Sequence, residues 1–166
     1  SAILITNNEN FAQKVNKSIN EILPNLSRKE IIKKSLKNHG TIILVEDLTN
    51  QATKIANKIA PEHLQITTKN NQEIFNKITN AGAIFLWKYT PEAIGDYIAG
   101  PSHTLPTGAT AKFASGLSVF DFLKRTSVIQ CSKSGFFTLA KNAALIAKSE
   151  KLDAHKLSLT IRQEND

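Results

Sequence analysis

The sequence predicts an α/β fold: an incomplete Rossmann-like parallel sheet with flanking helices, followed by a C-terminal helical arm that ends in a short strand. Three observations lead to this prediction. Short apolar runs alternate with amphipathic stretches through the first two-thirds of the chain. Residues 90–116 are rich in Gly, Pro, Ser and Thr, and an Ala- and Lys-rich helical stretch comes later. We therefore divide the chain into residues 1–116 and 117–166.

Four buried strands are predicted where apolar residues run together for the length of a strand, at residues 2–5, 41–45, 64–67 and 83–86. Helices are predicted between them, because apolar residues there recur at helical spacing. The helical positions are Phe11, Val15, Ile19 and Ile22 before Pro24, then Ile31, Ile32 and Leu36, then residues 48–59, then residues 74–78. Strand–helix–strand units of this length make right-handed crossovers and give an open parallel sheet.

After the fourth strand we predict a long loop at residues 90–116, and loops of this length in compact domains usually carry function. Beyond it the predicted elements are a short helix at 117–122, a strand at 127–131, a long helix at 135–148 capped by Ser132, and a strand at 157–161. A strand at the end of a chain needs a partner, so we expect this tail to dock on another element or on another subunit.

Composition excludes several classes of protein. The formal charge of +7 does not indicate nucleic-acid binding, because the lysines are isolated or in pairs such as Lys33-Lys34. No apolar run approaches the length that spans a membrane. The single cysteine, Cys131, cannot form an internal disulfide, so we expect a cytoplasmic protein. No base beside Cys131 is indicated, so we expect its thiol to be packed. A chain of 166 residues that starts at Ser1 and lacks methionine is expected to be a processed, tagged or excised piece.

Glu62 and His63 are the first candidates for chemistry. They follow Pro61, which fixes a turn before the third predicted strand, and ligands gather at strand ends in α/β sheets. A carboxylate beside an imidazole can divide proton transfer between two groups of different basicity. For a Glu-His pair taken alone we favour a structural interpretation, in which the glutamate is on the surface and the histidine is bonded to a carbonyl.

Asp96 and His103 lie in the predicted loop beside turn-forming glycines and prolines. Asp and His together can bind a metal such as zinc, but in isolation Asp96 would cap a turn and His103 would be a loop histidine. Glu150 and His155 precede the terminal strand and can be plain surface residues, and His39 fits a helix C-terminus. The sequence has no Gly-rich phosphate loop and no cysteine cluster.

The order of the motifs is more specific than any one of them. The chain contains, in this order, Ala60-Pro61-Glu62-His63-Leu64, Ala81-Gly82-Ala83-Ile84-Phe85-Leu86, Tyr89-Thr90-Pro91-Glu92-Ala93-Ile94-Gly95-Asp96-Tyr97, Gly100-Pro101-Ser102-His103, Leu105-Pro106-Thr107, Ser115-Gly116-Leu117-Ser118-Val119, Asp121-Phe122, Lys124-Arg125 and Ala154-His155-Lys156. In this arrangement it resembles the histidinol dehydrogenase family. The resemblance covers nearly all of this chain but only the C-terminal part of the family's longer sequence.

The resemblance implies oxidation of L-histidinol through L-histidinal to L-histidine, with two NAD molecules and one zinc per site. It implies that His63 contacts the substrate and takes its hydroxyl proton as hydride leaves for NAD. Glu62 is then expected to activate water for the aldehyde step. Both roles suit these side chains, since an imidazole titrates near neutrality and a carboxylate can polarise water.

The same resemblance assigns residues to the metal and the substrate. Asp96 matches a zinc ligand, and His155 matches another that reaches in from a neighbouring subunit; both also contact substrate. Glu150 matches a substrate contact from that neighbour, and His103 matches a histidine near the substrate. Residues 1–116 are then expected to be the C-terminal half of the catalytic domain, and residues 117–166 a dimerisation arm.

The family's other two zinc ligands, a glutamine and a histidine, and its NAD-binding domain belong to segments that would precede Ser1. We therefore expect that this chain alone binds neither zinc nor NAD well and does not turn over histidinol. Trp87 stands where the family tends to have glycine, and we expect it to crowd the loop beyond the strand.

Two functions follow from these expectations. In the first, the chain is part of a histidinol dehydrogenase, acting as a homodimer or with a missing upstream segment. In the alternative, it is a decayed or repurposed homologue that serves as a non-catalytic dimeric binding or scaffold protein. Neither function involves nucleic acid or a membrane.

Overall fold

A computed structural model describes residues 1–164 of the chain. These residues form two compact units, Ser1–Phe122 and a second unit that begins at Leu123. The elements of the first unit are β1 (Ala2–Thr6), α1 (Glu9–Ile22), α2 (Lys29–His39), β2 (Gly40–Leu44), α3 (Thr53–Ile59), β3 (His63–Ile66), α4 (Asn71–Phe75), β4 (Ala83–Leu86) and α5 (Glu92–Tyr97). The second unit contains α6 (Lys133–Ser149) and α7 (Asp153–Glu164), and the last two residues of the predicted arm, 165 and 166, lie outside the described residues.

The strands pair in parallel, as the sequence predicts, and they form two separate two-stranded sheets. Strand β1 pairs with β2 from Ala2 opposite Gly40 onward, and β3 pairs with β4 from His63 opposite Ala83 onward. The α/β class with flanking helices is therefore confirmed. Each pair is joined by helical crossovers, which parallel strands require because a tight hairpin cannot connect them.

Local sequence explains where the helices of the first unit begin and end. The side chain of Asn8 caps α1 by accepting a hydrogen bond of 2.9 Å from the amide of Phe11. The helix gives way to a 3₁₀ turn at Leu23–Asn25, where Pro24 stands, as predicted. Helix α2 ends at His39, and a π-helical turn at Leu48–Ala52 leads into α3, so the predicted helix at 48–59 is confirmed.

The long segment from 90 to 116 is mostly irregular, but it is not a continuous loop. Helix α5 occupies Glu92–Tyr97, and a short 3₁₀ turn occupies Thr110–Lys112. The fourth predicted helix also lies earlier than expected, at Asn71–Phe75 instead of 74–78. These differences matter for function, because Asp96 stands on a helix and not in a loop.

The second unit is a helical hairpin. The hydroxyl of Ser132 caps α6 by accepting a hydrogen bond of 3.1 Å from the amide of Gly135, which confirms the predicted cap. Ala140, Ala144 and Ala147 are buried and lie on one face of α6, so α7 can approach closely. The predicted short helix at 117–122 is found as a 3₁₀ turn at Val119–Phe122, at the end of the first unit.

Two predicted strands are wrong. Residues 127–131 are irregular, with Val128 and Ile129 exposed to 90% and 91%, because β-branched residues form a strand only where another strand pairs with them. The predicted terminal strand at 157–161 is part of α7. Five alternating residues are too few to separate a strand from a helix, and packing against α6 decides for the helix. Cys131, which we expected to be packed, is exposed.

Large apolar side chains contribute little to the core of the first unit. Among its described residues the buried apolar side chains include Ile66, Ile74 and Phe85, while Phe11 and Ile22 on α1 are exposed. Within the described part of the chain, no helix is both long enough and apolar enough to cross a membrane.

Candidate active site

The turn before β3 fixes the backbone from which Glu62 and His63 project. Helix α3 ends at Ile59 and is capped by Ala60, which is buried and has a left-handed φ of 49°. The carbonyl of Pro61 then accepts a hydrogen bond of 2.9 Å from the amide of Gly82, and the carbonyl of Glu62 accepts one of 2.8 Å from Ala83. These bonds extend the β3–β4 ladder backward, so that His63 opens β3 in a defined register.

Glycine is required at position 82 because the two chains approach closely there. A Cβ atom on Gly82 would lie 2.6 Å from the backbone oxygen of Glu62 and 3.2 Å from Cδ of Pro106. Neither a backbone carbonyl nor a proline ring can move aside easily. The glycine therefore allows the Pro61 turn to lie directly against the start of β4.

Helix α5 lies on the face of β4 that carries Phe85. A Cβ atom on Gly95 would lie 2.3 Å from Cε1 of the Phe85 ring, so only glycine permits this approach. The His63 ring lies on the same face, with its centroid 5.9 Å from that of Phe85 and the two planes tilted by 35°. Phe85 thus supports both the imidazole and the helix that carries Asp96.

Three polar side chains meet above Phe85. His63 Nε2 lies 3.2 Å from Oδ1 of Asp96 and 3.8 Å from Oε1 of Glu92. One ligand atom from each of the three side chains lies within 4.8 Å of the others. The side chains of His63 and Asp96 are 25% and 24% exposed and that of Glu92 is 47% exposed, so the cluster is open to solvent on one side.

The two carboxylates interact strongly. A hydrogen bond with Asp96 raises the pKa of Glu92 above its ordinary value, and burial and the negative charge of Asp96 raise it further. The charge of Glu62 acts in the same direction, whereas His63 acts to lower the pKa of Glu92. The site therefore concentrates negative charge that a proton or a cation can neutralise.

The donor set of this cluster suits a divalent ion. One imidazole nitrogen and two carboxylate oxygens are ligands that zinc accepts, and their spacing lets them approach one centre. The imidazole can alternatively accept a proton, with its ring orientation held by the Asp96 hydrogen bond. The described residues contain no Gly-rich turn opening a helix, the usual site for a dinucleotide.

The structure brings together some of the residues predicted from the sequence. His63 and Asp96 are in contact, and Glu62 is half-buried and close enough to influence Glu92 electrostatically. His103 is exposed in an irregular segment and is not part of the three-residue cluster. The roles predicted for these side chains in chemistry stay predictions.

Glu150 and His155 belong to the second unit. Glu150 is the C-terminal cap residue of α6, and His155 lies in the first turns of α7, not before a strand; both are exposed. Their predicted contribution to a neighbour's site stays a prediction.

Sequence reasoning missed Glu92 as a site residue, although the residue is part of a motif quoted above. The missed signal is the spacing of four between Glu92 and Asp96, which places both carboxylates on one face of a helix. The prediction of a loop at residues 90–116 hides this spacing, because side chains four apart share a face only in a helix.

The sequence matches the family model described as histidinol dehydrogenase over residues 1–163. Histidinol dehydrogenase of Rhodospirillum rubrum is 46% identical over 97% of this chain and 37% of its own length, and that of Aquifex aeolicus is 46% identical over 99% of this chain and 38% of its own length. A crystal structure of histidinol dehydrogenase from Elizabethkingia anophelis matches this chain with a TM-score of 0.89 and 32% sequence identity. The match covers 98% of this chain and 37% of the chain in the crystal structure. The chain thus spans less than two-fifths of the length of these relatives.

Proposed function

The chain belongs to the histidinol dehydrogenase family, and from this premise we propose that it supplies the proton-transfer half of an enzyme that oxidises L-histidinol to L-histidine. The observation that carries the proposal is the 3.2 Å contact between His63 and Asp96, in the part of the sequence that matches the family. An imidazole held by a carboxylate is suited to removing a proton from an alcohol. The oxidant is NAD, which receives the hydride, and its binding site belongs to other parts of the enzyme.

His63 is the proposed base for the alcohol step. When Nε2 carries the ring proton, it donates to Oδ1 of Asp96, and Nδ1 is left as the acceptor for the substrate hydroxyl proton. Loss of the hydroxyl proton, together with loss of hydride from the carbon that bears the hydroxyl, leaves a carbonyl. The Asp96 carboxylate stabilises the imidazolium that forms, and Phe85 restricts the ring.

Glu62 is the proposed base for the second step. Its backbone carbonyl accepts a hydrogen bond from the amide of Ala83, and its charge acts on Glu92, so the carboxylate is near the cluster. A carboxylate there can accept a proton from water as the water adds to the aldehyde. The imidazolium that the first step leaves on His63 can give its proton to the aldehyde oxygen as the water adds, and the proton taken by Glu62 passes to solvent. The hydrate that results again carries a hydroxyl, and the neutral His63 can take its proton in the second oxidation.

Asp96 and a partner's His155 would hold zinc, and His103 and Glu150 would contact the substrate. The metal supplies a positive charge that orients the substrate amine and hydroxyl. The half-buried carboxylate of Asp96 fits this role, since it already faces one imidazole nitrogen and shares a hydrogen bond with Glu92. Two further ligands are expected from a segment upstream in the family, so zinc should bind this chain weakly when it is alone.

A partner is proposed for each unit because each exposes large apolar side chains. In the second unit, Leu139, Leu145 and Leu157 are all exposed, and a second copy of the chain is the partner that would also bring His155 to the site. Residues 157–161 belong to α7 and form no strand, so the proposed dimer depends on these exposed side chains. In the first unit, exposed Phe11 and Ile22 suit contact with an upstream segment.

We place the function in the cytoplasm, where the exposed thiol of Cys131 stays reduced.

The proposed enzyme is tested by mixing the purified chain with the N-terminal part of a close relative. NADH formation from histidinol and NAD is expected only in the mixture with zinc, and it should fall at least about a hundredfold with His63→Gln. The exposed Glu73→Gln on α4 is the control and should leave the rate unchanged. Steady turnover by the chain alone, or full activity with His63→Gln, would contradict the proposal.

The alternative is a non-catalytic dimeric scaffold, which the exposed apolar face of the second unit also suits. Zinc titration separates the two. A fragment of the enzyme should gain zinc affinity when the N-terminal part is added, and Asp96→Ala should abolish that gain, whereas a scaffold should show neither effect.

A further inference from the structure

An open cleft lies at the carboxyl ends of β3 and β4, at the opposite end of β3 from His63. It has a volume of about 610 Å³ and is lined by residues that directly follow the two strands, Thr67 and Thr68 after β3 and Trp87 after β4. Small-molecule sites have volumes of this order, and in α/β folds they form at this end of the strands. His63 opens β3, so the length of the strand, about 10 Å, separates the cleft from the candidate active site.

A buried amide in the wall of this cleft lacks a hydrogen-bond partner. Asn71 lines the cleft and is 1% exposed, and its Oδ1 accepts hydrogen bonds from the amide and hydroxyl of Thr68 at 2.6 and 2.9 Å. Among the described residues, no acceptor lies within reach of its Nδ2. A buried donor left in this way is unfavourable, so the position suits an acceptor oxygen brought by a ligand.

Two aromatic side chains and two lysines complete the lining. Trp87 is 56% exposed and holds a left-handed φ of 74°, which a bulky residue rarely adopts. Nζ of Lys88 lies 4.7 Å from the centroid of the Tyr89 ring, and Lys69 stands beyond the end of β3. None of the residues that line the cleft is acidic. The lining therefore combines flat aromatic surface with positive charge, and a strained backbone at Trp87 supports a functional origin.

We propose that this cleft binds a nucleotide, with the base stacked on Trp87 and the phosphate next to Lys69 and Lys88. Ring stacking and neutralisation of a phosphate are the two interactions that this lining offers, and base–aromatic stacking is favourable for every base. An acceptor oxygen of the ligand would face Asn71. The proposal does not depend on histidinol oxidation, since it uses none of the residues of the His63 cluster.

The only tryptophan of the chain is in the cleft, so its fluorescence reports binding directly. We expect adenosine monophosphate to quench Trp87 emission saturably, and adenosine and inorganic phosphate to bind at least about tenfold more weakly, because each offers only one of the two interactions. Equal affinity for adenosine and its monophosphate would overturn the proposal, as would quenching that does not saturate.

Variants test the named side chains. Lys69→Gln and Lys88→Gln should each weaken binding of adenosine monophosphate about threefold to fivefold, while the exposed Lys34→Gln on α2 is the control and should leave it unchanged. Asn71→Asp keeps the acceptor that Thr68 needs but replaces the free donor with a charged oxygen, and should weaken binding at least about tenfold. Unchanged affinity in all three cleft variants would overturn the proposal.

Trp87→Gly separates binding from folding, because glycine accepts a positive φ without strain. The variant should remain folded by circular dichroism, with an unchanged or higher urea midpoint, and should bind adenosine monophosphate at least about tenfold more weakly by calorimetry. Retention of full affinity in this variant would show that the base does not stack on Trp87 and would overturn the proposal.

Discussion

Replacing Gly95 with alanine should disturb both the fold and the candidate site, because α5 touches β4 at this residue. The new Cβ atom would lie 2.3 Å from Cε1 and 2.9 Å from Cζ of the Phe85 ring. Either the ring or the helix must move by about 1 Å to restore an ordinary contact. Phe85 is buried, so we expect the helix to move and to carry Asp96 away from His63.

The magnitude follows from two opposing effects. Forcing an extra methyl group into a packed contact costs about 1–3 kcal/mol, and a contact of 2.3 Å belongs in the upper part of that range, about 2–3 kcal/mol. Alanine gains up to about 1 kcal/mol over glycine inside a helix. We therefore expect Gly95→Ala to lower the free energy of unfolding by about 1–2 kcal/mol, and with a urea m-value of about 2 kcal/mol/M the midpoint should fall by about 0.5–1 M.

Urea unfolding followed by Trp87 fluorescence measures this change, since Trp87 reports on the first unit. Ala93→Ser adds an atom at an exposed position of the same helix and should stay within about 0.5 kcal/mol of the parent. Combining Gly95→Ala with Phe85→Leu should recover part of the loss, because the smaller side chain leaves room for the methyl group. An unchanged midpoint for Gly95→Ala, or strictly additive effects in the double variant, would refute the proposed contact.

Three further changes test other parts of the first unit. Asn57→Ala should destabilise it by about 1–3 kcal/mol in urea unfolding, because the Asn57 side chain bonds three backbone groups within residues 77–80. In metal-free protein, Glu92→Gln should raise the urea midpoint at pH 7. The hydrogen bond with Asp96 raises the pKa of Glu92 above its ordinary value of 4.5. The protonated Glu92 side chain therefore stabilises the fold below pH 4.5, and this stabilisation is lost as pH rises through the raised pKa. Asp47→Asn should have the opposite pH dependence, because hydrogen bonds lower the pKa of Asp47 from 3.8. The variant should be less stable than the parent protein at pH 7, and this difference in stability should become smaller on acidification toward about pH 3.

Periodicity predicts the four strands and most helices because apolar side chains recur at the spacing of each element, but the prediction that all four strands are buried is wrong: no residue of β2 is fully buried, since its sheet contains only two strands. The apolar runs at 2–5 and 83–86 are found as β1 and β4, and the Ser132 cap is found where the sequence places it. The predicted strand at 157–161 is wrong because five alternating residues are too few to distinguish a strand from a helix. Packing on the alanine face of α6 decides the conformation.

The candidate site is partly predictable for a different reason. Residue types and motif order single out His63 and Asp96, but nothing local in the sequence reveals that they lie 3.2 Å apart. That distance depends on the β3–β4 register and on the clearance at Gly95, which are properties of the folded chain. Glu92 was missed because its role appears only when α5 is known to be a helix.

The features that bring His63 to Asp96 all lie between residues 60 and 97. The left-handed Ala60 turns the chain into β3, Gly82 lets that turn rest on β4, and Phe85 with Gly95 sets the height of α5 above the sheet. The proposed zinc ligand set and NAD site would need residues from other parts of the proposed enzyme, whereas the imidazole is oriented by residues 60–97. It follows that adding the N-terminal part of a relative to the folded chain should give the proposed activity without prior unfolding, whereas Gly82→Ala should prevent that activity even when zinc, NAD and histidinol are present.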